Sequence, residues 1–117
     1  MRSFIHIGDV AAGTRLAVLK GEPGECFHFA TPMSLSIREL VECICRRMGA
    51  SFEDVVDIVG ERTGKDHAYR LCTERGRTRL GWTDTVSLET GIDETIAWVD
   101  RYFNVLTHEP LDYIHKP

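Results

Sequence analysis

Between Ser36 and Gly49 the chain carries both end signals of a helix with a one-sided apolar pattern between them, and whatever fold it adopts must cover that side. Ser36 is followed three residues later by Glu39, the capping-box spacing in which hydroxyl and carboxylate each satisfy a backbone N–H that the first turn leaves orphaned. Ile37, Leu40, Val41, Ile44 and Met48 recur at helical intervals, while Arg38, Glu39, Glu42, Arg46 and Arg47 take the wet side. Gly49 supplies the left-handed stop. A helix Ile37–Met48 is therefore predicted, and it needs other elements to bury its face.

Those elements are short β-favouring runs and further helices. Phe4-Ile5-His6-Ile7, Cys26-Phe27-His28-Phe29-Ala30 and Val55-Val56-Asp57-Ile58-Val59 are β-favouring runs. Asp9 is placed to cap a helix from Val10 to Lys20, which Gly21-Glu22-Pro23-Gly24 stops. Thr73 can cap a brief helix ending near Gly81. Ser87, with Thr90 and Asp93, opens a longer one to about Phe103, with Ile92, Ile96, Val99 and Phe103 on one face. Strands alternating with three to four helices make the fold class α/β, or α+β if the strands are too few for one sheet. At 117 residues the chain is read as a single domain, 1–117, with an irregular tail over 104–117.

Several functions are excluded by what the chain lacks. Fourteen Lys and Arg against eighteen Asp and Glu leave a net charge of -4 and no basic stripe, so nucleic acid is not an expected partner. No run approaches the roughly 18 to 20 apolar residues of a membrane span, and Met1-Arg2-Ser3 leads straight into a strand-like run, so a cytoplasmic protein is expected. Cys26, Cys43, Cys45 and Cys72 show no CxxC pairing and are expected to be reduced and mostly buried, with no metal site. The stretch Gly60-Glu61-Arg62-Thr63-Gly64-Lys65-Asp66 is one residue short of a P-loop and has Asp where Ser or Thr should bind magnesium. With no GxGxxG, the chain itself is not expected to hold NAD. Asp66-His67 is read as solvated loop, with no nucleophile beside it.

Three stretches in order carry a resemblance. Arg2-Ser3-Phe4-Ile5-His6-Ile7-Gly8-Asp9-Val10 is similar to R-[DS]-[FWY]-[IVL]-[YH]-[IV]-x-D-[VL]. Glu61-Arg62-Thr63-Gly64-Lys65-Asp66-His67-Ala68-Tyr69 is similar to D-R-P-G-H-D-x-x-Y. Leu80-Gly81-Trp82, followed by Ser87 to Trp98, is similar to L-G-W … E-G-[IL]-x-x-T-[IV]-x-W. Together they resemble the C-terminal substrate-binding part of the extended short-chain dehydrogenase/reductases, the NAD-dependent nucleotide-sugar epimerases and dehydratases, most closely the dTDP-glucose 4,6-dehydratases. Gly8, Thr63, Lys65 and Cys72 depart from the family pattern.

The resemblance implies a nucleotide-diphosphate-sugar ligand, with Arg2 and Arg62 on the diphosphate and Asp66 and Tyr69 nearer the nucleoside. Arginine suits the task because its planar fork meets phosphate oxygens bidentately. It also implies, for the complete enzyme, NAD-dependent lyase chemistry of carbohydrate biosynthesis, in which the sugar is oxidised at C4, loses water across C5 and C6, and recovers hydride at C6. That chemistry uses a Tyr-x-x-x-Lys pair, and none of Tyr69, Tyr102 or Tyr113 has a Lys four residues on. The chain is thus expected to lack catalytic residues, cofactor and the N-terminal Rossmann core. Its expected partners are a separate or missing Rossmann half and, through apolar surface that half would cover, further copies of itself. A non-catalytic nucleotide-binding or interaction module of the same fold, or the matching part of a 4-epimerase, is the alternative.

Overall fold

The computed structural model describes residues 1–60, 64 and 66–110. Along these run five helices: α1 (Ile7–Lys20), α2 (Ile37–Met48), a single turn α3 (Phe52–Val55), α4 (Glu74–Leu80) and α5 (Leu88–Leu106). The capping box of α2 forms as its sequence requires, with Glu39 N donating to Ser36 Oγ at 3.1 Å and Ser36 N to the Glu39 carboxylate at 2.7 Å. Gly49 and Gly81 close α2 and α4 in the left-handed region at φ 67° and 70°. Ser87 caps α5 by accepting from Thr90 N. That helix continues to Leu106, three residues into the stretch expected to be irregular.

Helix α1 departs from expectation at its start. It begins at Ile7, and the cap is His6, whose Nδ1 accepts from Gly8 N at 3.2 Å. Asp9 lies inside the first turn with its side chain 3% exposed. Its carboxylate turns away from its own helix because three donors from the segment before α5 reach it: Thr85 Oγ1 at 2.7 Å, Val86 N at 3.0 Å and Thr85 N at 3.1 Å.

The expected strands are not formed among the described residues. The one β pairing is an isolated antiparallel bridge, in which Arg2 N donates to Leu35 O at 2.7 Å and Leu35 N to Arg2 O at 2.8 Å. Alternating apolar residues favour an extended backbone, but a strand needs a second edge to ladder against, and Phe4–Ile7, Cys26–Ala30 and Val55–Val59 meet none. Ile7 is drawn into α1 and Val55 into α3. The segment from Cys26 to Ala30 instead crosses α1 and α4 through its side chains. A Cβ placed on Gly13 of α1 would lie 2.6 Å from the Phe29 ring, so only glycine admits that ring; on Gly76 of α4 it would lie 3.5 Å from the same ring.

The core is small. Its buried apolar side chains among the described residues are Ala30, Leu80 and Trp82 near the α1–α4 contact, Cys43 and Ile92 near the α2–α5 contact, and Cys45 on another side of α2. Lys20 Nζ, reaching from the end of α1, donates to Leu80 O at 2.9 Å and so satisfies a carbonyl that the end of α4 would leave open. Arg47 and Asp93 form a two-pronged ion pair joining α2 to α5, and Arg47's hydrogen bonds hold the Asp93 carboxyl below the usual carboxylate range. The thiols split evenly: Cys43 and Cys45 are buried, whereas Cys26 and Cys72 are exposed, contrary to the expectation of mostly buried cysteines.

Candidate functional site

Arg2 lies where three segments meet. Its backbone is bridged to Leu35 on one side; on the other, Met1 is tied to the 66–69 loop by its ammonium group, which donates to His67 O at 2.5 Å, and by its carbonyl, which accepts from Tyr69 N at 3.1 Å. From this fixed base the Arg2 guanidinium donates through Nη2 to Asp66 O at 3.3 Å and sits 5.7 Å from the centre of the Tyr69 ring. Its Nη1 is shielded from solvent and has no hydrogen-bond partner among the described residues. A shielded N–H without an acceptor costs about 1 to 3 kcal/mol, so an anionic oxygen delivered to this corner gains more than it would at an ordinary surface arginine.

Arg2, Asp66 and Tyr69, read separately from the sequence, are thus brought together, although Asp66 contributes its backbone carbonyl, not its carboxylate. Arg62 lies outside the described residues. Tyr69 leaves more than half of its surface open.

A second constellation joins the first and third motifs at the far end of the Arg2 segment. Trp82 Nε1 donates to Asp9 O at 2.8 Å, and the Asp9 carboxylate holds Thr85 and Val86. Arg77 braces the turn: its Nη2 donates to Asp84 Oδ1 at 2.5 Å and to Ala30 O at 3.5 Å, with the guanidinium 5.0 Å from the centre of the Trp82 ring. Burial pushes the Asp9 carboxyl up, but the Val86 and Thr85 donors and neighbouring His6 outweigh it and hold the carboxyl below its ordinary value. This group is architectural. It fixes α1, and with it the segment bearing Arg2, against the approach to α5.

The principal cleft is elsewhere. A cavity of about 540 Å³ opens between α2, α5 and the 4–7 segment, walled by Phe4, Ile5, Leu40, Ile44, Ile92 and Ile96. Among the described residues no Lys or Arg lines it, so it suits apolar cover better than a diphosphate. Beyond it α5 continues with Trp98 53%, Phe103 57% and Val105 59% exposed.

At the amino termini of α1, α2 and α5 one backbone N–H is turned onto the helix's own cap, His6, Ser36 or Ser87. No cluster of three metal-ligating side chains occurs among the described residues, and no described helix is long and apolar enough to cross a membrane.

No protein-family model matches the chain. In sequence it is similar to a dTDP-glucose 4,6-dehydratase of Streptomyces niveus, 35% identical over 97 residues that make up 83% of this chain and 29% of that protein. In fold it is similar to the dTDP-glucose 4,6-dehydratase of Bacillus anthracis, solved with NAD, at a TM-score of 0.79 and 22% identity over 88% of this chain and 32% of that one. It is also similar to the Bordetella bronchiseptica enzyme WbmG, solved with NAD and UDP, at a TM-score of 0.73 and 26% identity over 86% of this chain and 33% of that one. The chain spans about three tenths of the length of the curated relatives it matches.

Proposed function

We propose, on the premise that this chain is a partial counterpart of the dTDP-glucose 4,6-dehydratases, that it is the nucleotide-diphosphate-sugar-binding portion of such an enzyme and is catalytically incomplete alone. The observation that carries this reading is the corner at Arg2: a guanidinium anchored by Asp66 O, with a shielded Nη1 lacking an acceptor, beside an open tyrosine ring. In this reading Arg2 takes the diphosphate oxygens, Arg62 joins it there, and Asp66 and Tyr69 flank the nucleoside. NAD, present in both solved neighbours, belongs to the part of the enzyme beyond this chain. The hydride and dehydration steps are performed there, and this lobe orients the sugar for them.

Calorimetry with dTDP and UDP tests the assignment. Much of the contact surface lies outside the chain, so binding is expected at high micromolar to millimolar Kd. Arg2→Ala should weaken it about tenfold or more, the loss of one charge-assisted hydrogen bond of about 1.5 to 3 kcal/mol. Thymidine and uridine, which lack the diphosphate, should bind both proteins alike. Equal affinity of wild type and Arg2→Ala for the diphosphates would remove the assignment.

The apolar cleft between α2 and α5 and the open side of α5 support a second element of the reading, that a further polypeptide layer covers this face in the working enzyme. Taken alone, the chain should self-associate through it. Sedimentation velocity at about 100 μM is expected to show dimers or larger species, and a clean monomer would contradict this element without touching the Arg2 assignment.

A further inference from the structure

We infer that Ser3 is the residue that positions Arg2, acting through a hydroxyl clasp on Thr31. Ser3 Oγ lies 3.0 Å from Thr31 Oγ1 and 3.1 Å from Thr31 O, and accepts from Thr31 N at 3.0 Å. Thr31 Oγ1 in turn donates to Met33 O at 3.1 Å. The proton count closes: the Thr31 hydroxyl gives its one hydrogen to Met33 O, the Ser3 hydroxyl gives its own to Thr31, and the Ser3 lone pairs receive the Thr31 N–H. Both side chains are partly buried, so water does not readily replace these bonds.

The clasp matters because of what lies on either side of it. Two residues beyond Met33, Leu35 makes the bridge to Arg2, so the 31–35 loop is held to the start of the chain at Ser3 and at Arg2. These are the contacts that fix the Arg2 backbone from the 31–35 side, opposite the Met1 contacts to His67 and Tyr69. Without the Ser3 hydroxyl the bridge stands as a lone pair of hydrogen bonds at the end of the chain, and the Arg2 backbone loses the anchor next to it. The guanidinium then no longer rests against Asp66 O and the Tyr69 ring. Ser3 touches no ligand in this scheme; it acts through Arg2.

The functional half of this inference rests on the diphosphate reading of Arg2, and the positional half does not. Two measurements on the full chain separate them. The first is NMR of the arginine side chains without ligand. In wild type the Arg2 Nε–Hε signal should be distinct and its Nη signals resolved on cooling; Ser3→Ala should move them to the averaged positions of a free arginine, and Ser3→Thr should restore them. Thr31→Val, which removes one hydroxyl of the clasp and leaves the backbone contact, should give part of the change and serves where Ser3→Ala is poorly folded. The second is dTDP affinity, which Ser3→Ala should lower about fivefold in wild type and not at all in an Arg2→Ala background, with thymidine unaffected. Unchanged Arg2 signals in both Ser3→Ala and Thr31→Val overturn the positioning role. Altered signals in a protein whose wild type binds no nucleoside diphosphate leave the positioning role standing and remove the diphosphate reading instead.

Discussion

Trp82→Ala should cost about 4 kcal/mol of folding stability, within the range of about 3 to 5 kcal/mol for removing a buried tryptophan. The ring is 2% exposed, packs 5.1 Å from Phe29 centre to centre, lies under the Arg77 guanidinium and donates its N–H to Asp9 O. Few other side chains share that core. Against a typical total of about 5 to 15 kcal/mol, the loss should leave the variant only marginally folded at the low end of that range, with about 1 kcal/mol remaining. Trp82→Phe keeps an aromatic ring and gives up the hydrogen bond, so it should lose roughly 1 to 2 kcal/mol. Urea titrations followed by circular dichroism decide the matter. A Trp82→Ala midpoint close to wild type would mean that the α1–α4 contact is held elsewhere.

The second large effect is expected at Asp9. Asp9→Ala strands two backbone N–H groups, those of Thr85 and Val86, together with the Thr85 hydroxyl, in a place where the carboxylate had excluded water. At roughly 1 to 3 kcal/mol for each orphaned group, partly relieved by water entering, a net loss of about 3 kcal/mol follows. The same site sets an acid limit. Because the folded carboxyl is held below its unfolded value, its contribution is fully present above about pH 4 and is lost as pH falls through the lower, folded value. Asp9→Asn, which cannot ionise, should be less stable at pH 7 and show a smaller drop between about pH 4 and pH 2. Glu25, Glu39 and Asp93 are depressed in the same direction and remain in both proteins, so the difference between the two curves isolates Asp9. Parallel curves for the two proteins would refute the assigned role.

How much of this was readable from the sequence depended on how far apart the cause and its effect lie along the chain. The Ser36 and Glu39 box, the Ser87 cap and the left-handed stops at Gly49 and Gly81 are local chemistry, and all appear where the residues placed them. Asp9 was read as a cap because aspartate before an apolar helix usually is one; its real partners are 76 and 77 positions away, beyond any local rule. The β-favouring runs fared differently: Ile7 and Val55 joined helices, because pairing is a property of two segments, and among the described residues only Arg2 finds an opposite edge, at Leu35. At the candidate site Arg2 and Tyr69 could be picked out by motif. The use of Asp66 by its carbonyl could not, since every residue carries that group.

The ring of Phe29 touches two helices at once. It fills the notch left by Gly13 on α1 and rests beside Gly76 on α4, two helices separated by more than fifty residues of chain. A flat hydrocarbon wedge seated in that way works as a shaft key in the first cylinder, resisting its slip along its axis, while the second merely rests against the wedge. That seating depends on shape, and a methyl group added at position 13 would push the wedge out.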